Sequence, residues 1–95
     1  MMKPSIEYLN EALEIINTSD RQAAKELGIA QSSISLYKSG ERTMDNFACF
    51  VVADILGIDP LLCLCSATYE REKSEDKKQF WLNLWNEINA RTGNR

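Results

Sequence analysis

Apolar residues recur along this chain at intervals of three and four positions, which is the spacing of one buried face of an α-helix. The first such run consists of Ile6, Leu9, Ala12, Leu13 and Ile16. Pro4 precedes it, at a position where the missing amide of a proline costs a helix nothing. Similar runs continue to residue 88, and the chain has only two prolines and four glycines. The pattern therefore predicts an all-α fold.

The stretch from Ser19 to Gly40 predicts two short helices joined by a tight turn. Ser19 and Gln22 fit a capping box, in which the Ser oxygen accepts from the Gln22 amide and Gln22 reaches back. Gly28 stands where a helix needs a left-handed residue, and Ile29 follows it as an apolar plug. Helices this short bury too little area to be stable alone, so we expect them to pack closely against each other.

The second helix of this stretch, residues 31 to 39, carries little charge on its outward side. Ile34 and Tyr37 are predicted to face inward. The outward positions are Gln31, Ser32, Ser33, Ser35, Leu36 and Lys38. A surface helix that serves only solubility usually carries Glu and Lys pairs. Short amides and hydroxyls without carboxylates are instead typical of a helix that enters the major groove of DNA.

Residues 19 to 57 resemble the helix-turn-helix of the lambda-repressor-like family, the Cro-type and XRE-type regulators of phages and bacteria. The matching residues are Ala24, Leu27-Gly28-Ile29, Gln31-Ser32, Ile34-Ser35, Tyr37, Gly40 and Leu56-Gly57. The resemblance implies a lambda-repressor-like helix-turn-helix bundle, in a small phage-type member of the family. Residues 1–60 would form the DNA-binding domain, and residues 61–95 would form a C-terminal helical extension.

The resemblance also implies which residues contact DNA. The expected base contacts are Gln31, Ser32, Ser33, Ser35 and Leu36. The expected phosphate contacts are Ser19, Arg21, Lys38, Ser39 and Arg42. Two positions depart from the family pattern, because Asp20 stands where many members carry a Gln and Ala30 stands where a Ser or Thr usually caps the recognition helix. We expect Asp20 to repel phosphate and Ala30 to forgo about 1 kcal/mol of capping.

A further helix is predicted to start at Thr43 or Asp45 and to end at Gly57. Its buried stripe is predicted to consist of Phe47, Phe50, Val51, Ile55 and Leu56, with Ala48, Val52 and Ala53 around them. Phe47 and Phe50 repeat in helical register, which favours a core position over an exposed stacking platform. Asp59-Pro60 then gives a strong start signal for the next helix.

The segment from Tyr69 to Lys78 is highly charged, and we expect a break near Ser74, which can cap a last helix. This last helix carries two apolar stripes, whereas a helix that packs only on its own domain needs one. The residues of the stripes are Phe80, Trp81, Leu84, Trp85 and Ile88. Because Trp is enriched at interface hot spots, we expect them to form a dimer interface. The alternative is that both tryptophans complete the monomer core.

Charge narrows the functions that this chain can have. The 95 residues carry a net charge of −3, which is unfavourable for a protein that binds phosphates. Residues 19 to 42 nevertheless hold one more basic than acidic residue, so the acidity lies mainly outside the predicted DNA-reading unit. We therefore expect weak binding by one copy, steep salt sensitivity and two copies per DNA site.

The composition does not indicate catalysis. The chain has no His, no glycine-rich phosphate loop and no nucleophile paired with a base, so we expect neither enzyme activity nor a cofactor. Cys49, Cys63 and Cys65 lie in apolar periodic segments, where we expect reduced core thiols rather than a zinc site. The sequence shows no signal pattern and no apolar run of membrane-spanning length, which predicts a cytoplasmic protein without a membrane partner.

These features together predict a sequence-specific DNA-binding transcriptional regulator. The expected form is a phage or mobile-element repressor that binds double-stranded DNA as a homodimer, on palindromic half-sites roughly 34 Å apart. No small-molecule effector is expected, because no ligand site is evident. Two alternatives remain open. In the first, the chain would be an antitoxin whose aromatic tail binds a toxin. In the second, it would be a protein-interaction module without DNA binding.

Overall fold

The computed structural model describes residues 1–92, which form six α-helices. The helices are α1 (Ser5–Ile16), α2 (Asp20–Leu27), α3 (Gln31–Ser39), α4 (Asn46–Leu56), α5 (Pro60–Arg71) and α6 (Glu75–Thr92). The described residues contain no strand, so the predicted all-α class is confirmed. Helix α2 ends at Gly28 with φ of 71°, a left-handed conformation that a side chain would strain.

Most helices begin at a side chain that accepts a hydrogen bond from the first turn, as the sequence predicts. The caps are Ser19 for α2, Asp45 for α4 and Asp59 for α5, with oxygen–nitrogen distances of 3.1, 2.9 and 2.9 Å. Ser74 Oγ accepts from the Lys77 amide at 3.4 Å, which confirms the predicted break before α6. Ala30, in the corresponding position before α3, offers no side-chain acceptor.

A single large buried cluster joins α1, α4, α5 and α6, together with Tyr37 of α3 and Met44 of the loop that follows it. Its other buried members are Tyr8, Leu9, Ala12, Ala48, Cys49, Val52, Leu62, Cys63, Cys65, Ala67, Trp85 and Ile88. The three cysteines are free and buried, as the sequence predicts for core thiols. The cluster contains residues from both sides of the boundary predicted at residue 60, so the C-terminal extension packs as part of one core.

Helix α4 buries a different face from the one predicted. Phe47 and Phe50 are 57% and 51% exposed, whereas the buried residues of the helix are Ala48, Cys49, Val52 and Ala53. The prediction that Phe47 and Phe50 belong to the core is therefore wrong. Apolar residues surround α4 almost completely, so periodicity alone could not select the face. Small side chains occupy the inner one, where α4 packs against both α1 and α5.

Helix α6 packs along α5 and buries part of the predicted dimer surface within the chain itself. Trp85 and Ile88 are only 5% and 4% exposed, and Trp85 Nε1 donates a hydrogen bond to Tyr8 Oη at 3.1 Å. Side chains buried within one chain have no surface to offer a partner, so Trp85 and Ile88 belong to the monomer core and not to a dimer interface. Trp81 and Leu84 are partly buried against the same core, whereas Phe80 is 59% exposed.

Two long-range hydrogen-bond sets tie the start of α1 to α5. The Glu70 carboxylate accepts from the Ser5 amide at 2.8 Å and from Ser5 Oγ at 2.5 Å. Ser66 Oγ donates to the Lys3 carbonyl at 2.7 Å. A carboxylate at a helix N-terminus satisfies free amides and interacts favourably with the helix dipole. Helix α1 therefore receives its N-terminal cap from α5, 65 residues further along the chain.

Candidate nucleic-acid interface

Helices α2 and α3 meet through a short turn and a small apolar cluster. The Ile29 amide donates to the Ala24 carbonyl at 3.0 Å and the Gly28 amide to the Lys25 carbonyl at 3.3 Å, which closes the end of α2. Ala24, Leu27 and Ile34 are buried between the two helices. Because Ile34 and Tyr37 point into the protein, the opposite side of α3 is left on the surface.

The outward side of α3 presents short polar groups. Gln31, Ser32 and Ser35 are exposed, and Ser33 and Leu36 are partly buried. Within residues 1–92, no side-chain hydrogen bond engages Gln31, Ser32 or Ser35, so their amide and hydroxyl groups are free for a ligand. The first turn of α3 carries no acidic residue, and the positive end of the helix dipole lies there. The structure thus places the five predicted base-contacting residues on one short helix.

The predicted phosphate contacts fall into two groups. Ser19, Lys38 and Ser39 are already engaged within the chain: Ser19 caps α2, Lys38 Nζ lies 2.9 Å from Asp20 Oδ2, and Ser39 Oγ donates to the Leu36 carbonyl at 3.0 Å. Arg21 and Arg42, by contrast, are exposed. The pairing of Lys38 with Asp20 was not predicted, because two residues 18 positions apart on different helices leave no local pattern in the sequence.

The loop between α3 and α4 forms one wall of a groove beside α3. Tyr37, Arg42, Asn46, Phe47 and Arg71 are among its lining residues. Arg71 Nη1 donates to the Met44 carbonyl at 2.6 Å, so the end of α5 reaches this loop. Arg71 has no local sequence signal, since it lies in a charged stretch that resembles any solvated helix surface.

The exposed Phe47 lies next to the turn between α2 and α3. Its ring atoms lie 3.7 and 3.8 Å from the place that a Cβ on Gly28 would occupy. Phe50 follows one helical turn later and is likewise exposed. These two rings therefore form an apolar surface at the edge of the candidate interface, where the sequence predicted none.

The groups with shifted pKa values lie in the core, away from α3. Burial raises the pKa of Tyr8 to about 12, and the hydrogen bond from Trp85 offsets part of that shift. A hydrogen bond with Cys49, and then burial, raise the pKa of the Cys63 thiol. Burial, with a smaller contribution from Asp59, raises that of Cys65. A raised pKa disfavours the thiolate, which is the reactive form of a thiol.

Residues 1–92 form neither a metal-ligating cluster nor a membrane-spanning helix. Among residues 1–92, no group of three or more His, Cys, Asp or Glu side chains is arranged to hold a metal ion. None of the helices formed by these residues is both long enough and apolar enough to cross a membrane.

Comparisons with known proteins found no relative of this chain. No family model matches the chain, and no curated protein and no solved structure matches it either. What the chain does must therefore be inferred from its own residues and their arrangement.

Proposed function

We propose that this protein is a sequence-specific DNA-binding transcriptional regulator with a helix-turn-helix of the lambda-repressor-like type. The observation that carries the proposal is the outward side of α3, where Gln31, Ser32 and Ser35 are exposed and make no side-chain hydrogen bond within residues 1–92. Amide and hydroxyl groups on an α-helix match the donors and acceptors that base edges present in the major groove. Helix α2 would cross the DNA backbone as α3 enters the groove.

The charges near α3 support binding of phosphate on both sides of that helix. Arg21 on α2 and Arg42 in the loop after α3 are exposed cations, and phosphate contacts set the register of a protein on DNA. The net charge of −3 opposes non-specific binding. One copy would therefore bind weakly, and a homodimer on a palindromic operator would gain affinity from two half-sites.

We propose a cytoplasmic repressor of phage or mobile-element type as the form of this regulator. Bound at an operator, it would block the access of RNA polymerase to the promoter. The exposed Phe80, with the accessible parts of Trp81 and Leu84, is the portion of the predicted dimer surface that remains open to a second copy. Trp85 and Ile88 support that surface from the core.

A protein partner is the second candidate, and the exposed aromatic residues favour it. Phe47, Phe50 and Phe80 are each more than half exposed, and aromatic residues are enriched where proteins bind each other. Under this reading the chain is an antitoxin or an interaction module, and its copurification with a second protein would support it.

The test of the DNA-binding proposal is selection of duplexes from a random library by the purified protein. The expected result is an enriched sequence with two half-sites about one helical turn apart, bound more tightly than a scrambled duplex. Gln31→Ala should then lose about 1–3 kcal/mol of discrimination between the two duplexes, because it removes a base-edge contact.

Gln79→Ala is the matched control, since Gln79 is exposed on α6 and donates a hydrogen bond to Asn83 of the same helix. It should leave the discrimination unchanged. Absence of any enriched sequence, with equal binding of all duplexes at low and high salt, would contradict the proposed function and leave the protein partner as the better explanation.

A further inference from the structure

The loop between α3 and α4 is held at both ends by contacts within the chain. At its start, the Arg42 amide donates to the Leu36 carbonyl of α3 at 3.2 Å. Near its end, the Met44 side chain is 1% exposed and sits in the main core. Asp45 then caps α4 through the Ala48 amide. The Arg42 side chain therefore projects from a short segment between two fixed points.

Arg71 of α5 contacts the loop between α3 and α4 from outside it. Its guanidinium donates to the Met44 carbonyl at 2.6 Å, and a hydrogen bond from a charged donor is about twice as strong as a neutral one. The bond joins the end of α5 to the loop across 27 residues of sequence. Without this donor, the Met44 carbonyl would lose its charged partner at the point where the chain turns into α4.

We propose that Arg71 is a positioning residue, which orients the loop so that Arg42 can reach a DNA phosphate. This inference rests on the proposed DNA-binding function. Arg71 acts through the backbone of the loop, because its Nη1 donates to the Met44 carbonyl. Phosphate binding at α3 is thereby linked to the position of α5 in the core.

The test is a double-mutant cycle on the full chain, with Arg42→Ala, Arg71→Met and the double variant. Met keeps the apolar stem of Arg and removes the donor. The probe is a duplex of arbitrary sequence, long enough for two half-sites, because a phosphate contact weakens binding to all sequences alike. Affinity is measured over a series of salt concentrations.

Arg42→Ala is expected to lower the slope of log affinity against log salt by about 0.9, the value for one lost phosphate contact. Arg71→Met is expected to lower both affinity and slope in the same direction. The double variant should bind within about two-fold of Arg42→Ala alone, since two residues that act through one contact are not additive. A purely structural role would lower the melting temperature without this coupling.

Arg91→Met is the matched control. It removes the same charge from an exposed Arg of α6 whose partner is Glu87, and it should show the loss expected from net charge only. Circular dichroism establishes that each variant is folded. Should Arg71→Met unfold, Arg71→Gln enters the same cycle, because its shorter neutral side chain removes the charged donor while staying polar.

Four results would overturn the positioning role of Arg71. Multiplicative losses in the double variant would mean that Arg71 contacts DNA on its own, and a loss equal to that of Arg91→Met would mean that only net charge matters. If the wild-type protein binds and Arg71→Met binds equally well, this inference fails while the proposed function stands. If the wild-type protein binds no duplex at any salt, this inference and the proposed function fail together.

Amide hydrogen exchange in the free protein tests the loop contact without DNA. Exchange is expected to rise at residues 43 to 45 in Arg71→Met.

Discussion

Ala30 leaves the first turn of α3 without the side-chain acceptor that Ser19, Asp45 and Asp59 provide for their helices. Its backbone nevertheless has the extended conformation of an N-cap, with φ of −65° and ψ of 140°. The position is exposed, so a hydroxyl would meet no steric obstacle. Helix α3, which we propose to read DNA, therefore lacks the side-chain N-cap that the other short helix, α2, has.

Ala30→Ser should stabilise the protein by about 0.5–1 kcal/mol, because the hydroxyl can accept from an amide of the first turn of α3. Denaturant unfolding at neutral pH measures this change. Ala90→Ser serves as the control, since it places the same hydroxyl inside α6, where it should be neutral or slightly unfavourable. An equal response of the two variants would show that water satisfies the first amides of α3 as well as a hydroxyl does.

At the residue level, the starts of the helices could be predicted because each depends on one side chain and an amide two or three positions away. Ser19, Asp59 and Ser74 are examples. The outward residues of α3 could be predicted for the same reason, since Ile34 and Tyr37 fix which side of a short helix faces inward. Asp20, Glu70 and Arg71 contact residues far away in the sequence, and no local pattern predicts such partners.

At the element level, the contact between α2 and α3 includes an ion pair that bears on the candidate interface. Lys38 Nζ and Asp20 Oδ2 are 2.9 Å apart, and both side chains are more than a third exposed. An exposed pair of this kind contributes only about 0–1 kcal/mol to stability. Its main effect is to hold a cation of α3 beside a carboxylate instead of leaving it for a phosphate.

Asp20→Asn should therefore tighten DNA binding and steepen the salt slope by up to about 0.9, because Lys38 becomes available for one phosphate. Stability should change by less than about 1 kcal/mol. The measurement is binding to a fixed duplex at several salt concentrations.

Glu87→Gln is the control for this prediction, since it removes the same charge from an exposed pair with Arg91 on α6. If both variants bind DNA more tightly by the same factor, net charge explains the gain and Lys38 is not a phosphate contact.

Helix α4 shows why an element can be predicted while its buried face cannot. Its bounds follow from the Asp45 cap and from Gly57, both of which are local signals. Its inner face follows from packing on two other helices, which admits Ala48 and Ala53 but leaves Phe47 and Phe50 outside. In the same way, the sequence predicts Trp85 at a dimer surface, because it does not reveal that Tyr8 lies opposite the indole nitrogen of Trp85.

At the level of the whole molecule, the contact between Tyr8 and Trp85 links the first helix to the last. Tyr8 is 3% exposed, and burial raises its pKa to about 12, above the value of about 10 for an unfolded chain. Between these values the unfolded chain releases a proton that the folded chain keeps. Stability from Tyr8 is therefore fully present below about pH 10 and is lost as the pH rises through about 12.

Wild-type protein should accordingly lose up to about 3 kcal/mol more stability between pH 10 and 12 than Tyr8→Phe does, since the variant has no phenol at this position. Denaturant unfolding across this range measures the difference. Near neutral pH the variant should be the less stable protein, because Trp85 loses its hydrogen-bond acceptor. Parallel pH curves for the two proteins would show that Tyr8 ionises equally in both states.

The cap that Glu70 gives to Ser5 also sets an order of events during synthesis on the ribosome. At a translation rate of 5–20 residues per second, roughly 3 to 13 seconds pass between the two residues. Until then a nascent chain already contains the residues of α2, the turn and α3. It still lacks the Glu70 carboxylate that caps α1 and the whole of α6, which supplies Trp85 and Ile88 to the core. The part of the protein that we propose to read DNA is thus made early and acquires its supporting core late.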